Sequence, residues 1–175
     1  MAKTANQENT TDPNGDPKRD PKRDSKRDPK NASANIKQQF SDLSTDDQLI
    51  VLWRVYEGLD TTAVENPDDN AESDSSVELY DQLKESSKNE QYQFMRDVLS
   101  GERNDQTSAY YELSNTTKVA LWYRLGEGMS ESSVVEVPSD YPLSDQAQEI
   151  VSSINAVDFE QKFIIMRDII KGDRA

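Results

Sequence analysis

Two short stretches of the chain gather its largest rings: Trp53 with Tyr56 on one, and Trp122 with Tyr123 on the other. With only 4 Phe, 2 Trp and 7 Tyr in the whole chain, this concentration exceeds what filling one small core requires. The chemistry open to such rings is non-covalent. Their faces hold a flat or rod-shaped apolar molecule by dispersion and stacking, while the hydroxyl and indole tips remain free to hydrogen-bond. Gly126, close to the second pair, leaves room for something to approach the backbone. The competing use of the same rings is ordinary core packing.

Bond-making chemistry finds no residues to carry it. The chain has no Cys and no His, which removes thiolate nucleophiles, imidazole-based triads and zinc sites. Its carboxylates are spread over helix surfaces without a convergent base or nucleophile, so no enzyme is expected. Asp68, Asp69 and Asp74 lack the ligand spacing of a calcium loop, and no metal site is expected either.

The charge balance narrows the partners. The chain carries 20 Lys and Arg against 34 Asp and Glu. Residues 1–36 hold 8 of the cations and 6 of the anions, which leaves 12 and 28 for the rest. Such a surface repels nucleic-acid phosphates and anionic lipid and points to protein or neutral ligands. The N-terminus shows no apolar signal-peptide run, and no stretch reaches the ~20 apolar residues of a membrane span. The expectation is a soluble intracellular protein.

Residues 16–30 read DPKRDPKRDSKRDPK, with Asp20, Asp24 and Asp28 each following a Lys-Arg pair. Recurrent proline and the lack of any apolar face predict a disordered charged tail over residues 1–35, ahead of a helical domain over 36–175. Ser25, among four cations, is a place where phosphorylation would switch the tail's charge.

Beyond the tail the helix signals are strong. Ser44 precedes Leu49, Leu52, Trp53 and Tyr56 at i, i+3, i+4 and i+7, with Gly58 as a stop. Residues 61–76 read as an acidic surface loop broken at Pro67, and helix resumes near Val77. Ser87 and Glu90 form a capping box for a helix through Phe94, Met95 and Val98 to Gly101. A short helix is predicted over 107–112. Ser114 or Asn115 then caps a helix carrying Val119, Trp122, Tyr123 and Gly126. Ser144 caps the next, with Ile150, Val151 and Ile154. Asp158 and Gln161 open the last, with Phe159, Phe163, Met166 and Ile170, and Gly172 ends it. The fold class is all-α, since the best strand-like run is only residues 135–137.

The chain repeats itself. Leu43-Ser44, Leu52-Trp53 and Gly58 recur as Leu113-Ser114, Leu121-Trp122 and Gly128, and Met95-Arg96-Asp97 recurs as Met166-Arg167-Asp168. A spacing of roughly 70 residues is too long for a solenoid unit and predicts two copies of a four-helix unit about a pseudo-two-fold axis. The two tryptophan helices then face each other across a shared cleft.

The blocks FSDLSTDDQLIVLWRVYEG, KVALWYRLGEGM, VPSDYPLS and EQKFIIMRDII, in this order, resemble the N-terminal carotenoid-binding domain of the orange carotenoid protein and its helical carotenoid protein relatives. The resemblance implies two interleaved four-helix bundles that hold one keto-carotenoid of the echinenone, 3'-hydroxyechinenone or canthaxanthin type. It carries the pigment contacts onto Leu49, Leu52, Trp53, Tyr56, Met95, Val119, Trp122, Tyr123, Val137 and Tyr141. It carries a docking role onto Arg167, and it implies the phycobilisome core and a separate carotenoid-donating C-terminal-domain homologue as partners. The implied setting is cyanobacterial cytoplasm, peripheral to the thylakoid through the phycobilisome, and the implied role is photoprotection. Arg96 departs from the family, which has a small or apolar residue in that stretch near the pigment. A helical module that docks on a photosynthetic partner without pigment is the alternative.

Overall fold

A computed structural model describes residues 29–59, 72–138 and 140–171 of the protein. The tail repeat as far as Asp28, with Ser25, and also Asp68, Asp69 and Gly172 lie outside the described residues. Eight helices run through the described residues: α1 Pro29–Ser41, α2 Thr45–Glu57, α3 Glu72–Glu85, α4 Lys88–Ser100, α5 Ser108–Glu112, α6 Asn115–Ser130, α7 Asp145–Asn155 and α8 Phe159–Ile170. No strand occurs among the described residues, and 135–137 is extended loop. None of the described helices is long and apolar enough to cross a membrane.

Side-chain caps set the starts of five helices. Ser44, Ser114, Ser144 and Asp158 each accept a hydrogen bond from the backbone N–H three residues on. At α4 the Ser87 hydroxyl accepts from the Glu90 N–H while the Glu90 carboxylate accepts from the Ser87 N–H. Gly101 closes α4 with φ 81, a left-handed conformation that a side chain would oppose.

One helix is missing from the sequence pattern and another begins ahead of it. α1 starts at Pro29, within the stretch assigned to the tail, because proline's fixed φ suits the first helical position. Tertiary contact then holds the segment: Ser33 is buried and its hydroxyl donates to Asp168 on α8 at 3.3 Å. α3 starts at Glu72, inside the predicted loop and ahead of Val77. Its polar Ser76 is wholly buried, so packing against α6 extends the helix before apolar periodicity begins.

The duplication sets the topology. The caps align α2 with α6, from Ser44 to Ser114, and α4 with α8, from Ser87 to Asp158. The third helix of each half packs on the second helix of the other, α3 on α6 and α7 on α2, so the halves interleave. α1, α2, α7 and α8 form one four-helix bundle and α3 to α6 the other, meeting where α2 touches α4 and α6, and where α6 touches α8. The core is one continuous cluster, with Leu49, Met95, Tyr110, Leu121, Leu125, Ile150, Ile154 and Ile165 almost fully enclosed.

Two buried glutamines tie consecutive helices together. Gln48 and Gln91 each stand four residues after a cap. The Gln48 amide donates to the carbonyls of Phe40 at 2.9 Å and Leu43 at 3.3 Å. The Gln91 amide donates to Leu83 at 3.0 Å and Ser86 at 3.1 Å. Each satisfies carbonyls freed at the end of the preceding helix.

Candidate functional site

Aligning the caps corrects one detail of the repeat. Trp53 is nine residues past Ser44, whereas Trp122 is eight past Ser114, a difference of one helical step or about 100°. The positional mate of Trp53 is therefore Tyr123, that of Leu52 is Trp122, and that of Tyr56 is Gly126. Burial agrees, since Leu52 and Trp122 are buried while Trp53 and Tyr123 are half-buried.

Tyr56 and Gly126 meet where α2 crosses α6. A Cβ added at Gly126 would lie 2.5 Å from Cγ of the Tyr56 ring. The close approach that the glycine permits is therefore that of a tyrosine in the same chain, rather than of a ligand. Gly126→Ala is expected to lower stability by about 1–3 kcal/mol, because the rigid base of the ring cannot give way. Chemical denaturation checks this, and in a Tyr56→Ala background the same change is expected to be near neutral.

Around this crossing the rings form a connected set. Trp53 stacks on Tyr56 with centroids 5.6 Å apart and planes 20° apart, and Tyr56 meets Tyr123 edge-on at 5.5 Å. Beside them lies an apolar groove of 310 Å³ between α2, α6 and α8. α2 contributes Leu49, Leu52, Trp53 and Tyr56, and α6 contributes Val119, Trp122 and Tyr123 among others. α8 closes the third side with Phe159, Phe163, Met166 and Ile170, and Lys162 stands at its edge. The first two phenylalanines are exposed at 44% and 37%, an unusual position for large apolar side chains.

Seven of the ten predicted contacts thus share one groove. Met95, Val137 and Tyr141 do not line it: Met95 is fully enclosed on α4, and Val137 is buried in the loop after α6. Tyr141, in the same loop, is half-buried against the core. The α8 residues were visible only as a helical stripe, because nothing local reveals which neighbour that stripe faces.

Tyr110 on α5 is the site residue that the pattern concealed. It is wholly buried, accepts a hydrogen bond from the Trp122 indole at 3.0 Å and donates to the Ile170 carbonyl at 2.7 Å. One hydroxyl therefore fixes a ring of the groove and the end of the helix forming its third wall. Arg167, on α8, lies outside the lining, with its guanidinium 3.8 Å from the neighbouring Asp168. Its repeat mate Arg96 forms an ion pair with Asp46 of α2, and the Tyr92 hydroxyl donates to that same carboxylate at 2.8 Å.

The hydroxyls of Tyr56, Tyr110 and Tyr141 titrate above their ordinary value near 10. For Tyr110 the cause is burial; for Tyr56 it is burial, then the neighbouring Tyr123 and Glu127. Tyr141 is raised by desolvation, then by the fields of Asp47 and Asp46. A folded-state pKa above the unfolded one gives stability that is complete below pH 10 and lost as pH rises beyond it. Denaturation midpoints are therefore expected to hold up to about pH 10 and fall above it. The fall should be shallower in Tyr110→Phe.

Among the described residues no cluster of three carboxylates converges on a metal site. The arrangement offers apolar and aromatic contact instead: a groove for a flat or elongated apolar molecule.

An all-helical, internally duplicated domain with an apolar groove at the crossing of its halves is the class this geometry defines. Residues 27–172 match the family described as "Orange carotenoid protein, N-terminal", and the chain belongs to that family. An orange carotenoid-binding domain-containing protein of Nostoc sp. is 34% identical over 140 residues, covering 80% of this chain and 82% of that protein. An orange carotenoid-binding protein of Synechocystis sp. is 25% identical over 75% of this chain, which spans only 42% of that longer relative. Among solved structures, the red carotenoid protein of Anabaena (Nostoc) sp. binding canthaxanthin superposes with a TM-score of 0.69 at 29% identity, over 79% of this chain and 95% of that one. The orange carotenoid protein of the same organism binding canthaxanthin gives 0.73 at 25% identity, over 80% and 44%.

Proposed function

We propose that this protein binds one keto-carotenoid, of the echinenone, 3'-hydroxyechinenone or canthaxanthin type, in the groove between α2, α6 and α8. The observation that carries this reading is the apolar groove walled by Trp53, Tyr56, Trp122 and Tyr123, in a chain whose structural relatives are described as binding canthaxanthin. A conjugated rod lying along these rings gains dispersion over its length and leaves few polar groups unpaired. Its function is photoprotective and physical: the polyene accepts excitation from antenna pigments or deactivates singlet oxygen. The chain acts at the phycobilisome core, beside the thylakoid, with Arg167 in docking, and receives pigment from a separate C-terminal-domain homologue.

The test is the absorption spectrum of the protein purified from cells that synthesise keto-carotenoids. A structured blue-green band that co-elutes with the protein supports the reading. A colourless protein of normal helicity overturns it and leaves a pigment-free module that docks through its acidic surface.

A further inference from the structure

One position recurs four times in the fold with one task. Gln48, Gln91, Lys118 and Lys162 each stand four residues past a cap, after Ser44, Ser87, Ser114 and Asp158. Each side chain donates to a carbonyl at the C-terminal end of another helix. The glutamines reach Phe40 of α1 and Leu83 of α3, Lys118 reaches Lys171 after α8 at 3.4 Å, and Lys162 reaches Gly58 after α2 at 3.5 Å. Such carbonyls lack partners within their own helix. An amide does this work at two of the four positions, so the task needs a donor and no charge.

The charge of each lysine therefore calls for a separate explanation. Lys118 is buried, with its ammonium 5.2 Å from the Tyr110 ring and 5.8 Å from that of Tyr111. Lys162 makes neither a ring contact nor an ion pair among the described residues. It is half-buried and lines the groove. Of the described lining residues it alone is charged, and none is Asp or Glu, in a chain with 34 acidic residues against 20 basic ones. It also stands at one end. Gly58, which it touches, precedes Leu59, and Leu49 marks the far end of the same wall. At the helical rise Leu49 to Leu59 is about 15 Å, the reach of roughly a dozen bonded carbons. The groove's 310 Å³ lies at the small end of the range for ligand pockets, about 300–1,000 Å³.

We infer that the groove also takes a carboxylate-headed apolar chain shorter than a carotenoid, with its carboxylate on the Lys162 ammonium. This goes beyond the pigment reading, which concerns a rod without charge, and it makes Lys162 the residue that tells an acid from a neutral head group. The aromatic walls favour a flat conjugated chain, such as oxidative cleavage of a carotenoid leaves, over a saturated one.

The experiment compares retinoic acid with retinol, which share ring and polyene and differ in the head group. The chain's two tryptophans both line the groove, so quenching of their fluorescence reports binding there. The parent chain is expected to bind the acid about tenfold more tightly than the alcohol. Lys162→Gln, which keeps a donor for Gly58 as Gln48 and Gln91 do for their carbonyls, is expected to bind the two alike, and Lys162→Arg to retain the preference. Palmitic acid, added as a competitor, distinguishes the source: displacement as effective as by unlabelled retinoic acid supports a fatty-acid site, weaker displacement a site for cleaved polyenes. Equal affinity for acid and alcohol in the parent, an undiminished preference in Lys162→Gln of normal helicity, or no binding of retinoic acid overturns the inference. Canthaxanthin uptake is measured alongside: uptake with any of those three results leaves the pigment reading standing and brings down this inference alone.

Discussion

Protein carrying Tyr56→Ala and Trp122→Ala together is expected to emerge colourless from cells in which the parent chain is coloured. Tyr56 links Trp53 to Tyr123, and Trp122 is held in place through Tyr110, so the pair removes rings from both walls of the groove. A rod that has lost those faces keeps contact with the aliphatic residues and α8, which shed it during purification. Truncating two large rings also costs stability, about 3–5 kcal/mol for a buried aromatic alone. The measurement is therefore paired with Tyr56→Leu, Trp122→Leu, which restores much of the lost volume without aromatic faces. Colour retained at parental intensity in either protein, with normal helicity by circular dichroism, would exclude this groove as the pigment site.

Tyr110→Phe carries the second large effect. Its hydroxyl is the partner of two buried groups, the Trp122 indole N–H and the Ile170 carbonyl. Deleting one oxygen leaves both without it in the interior, at about 1–3 kcal/mol for each group left unsatisfied. A total loss of about 2–6 kcal/mol is expected in urea unfolding, with an unchanged slope. Groove order should fall as well, because the indole is released and the end of α8 loosens. A loss under about 0.5 kcal/mol would mean that water replaces the hydroxyl.

Much of this architecture is legible in the sequence because it is local. Caps, the apolar stripes and the duplicated phrases are each written within a few residues, and they give the helices, their order and the pseudo-symmetry. Seven groove residues follow, since the paired rings stand on the two helices that the duplication brings together. The existence of α1 and the early start of α3 are less legible, because contacts with distant helices decide them. Tyr110 is hidden for the same reason: it reads as one tyrosine of a short polar helix, and its partners stand 12 and 60 residues away. The Arg96–Asp46 ion pair joins residues fifty positions apart, a pairing that no spacing rule contains.

The Tyr56–Gly126 crossing also bears on the origin of the domain. Where a true dimer would set identical residues against one another, this chain sets a large ring against a bare backbone. Two copies of the first half would oppose tyrosine to tyrosine at a distance that admits only one ring, and two copies of the second would leave a hole. Each half has thus become fitted to its sibling and unfit for itself, so the ancestral symmetry survives in outline while separation into two interchangeable pieces is closed off.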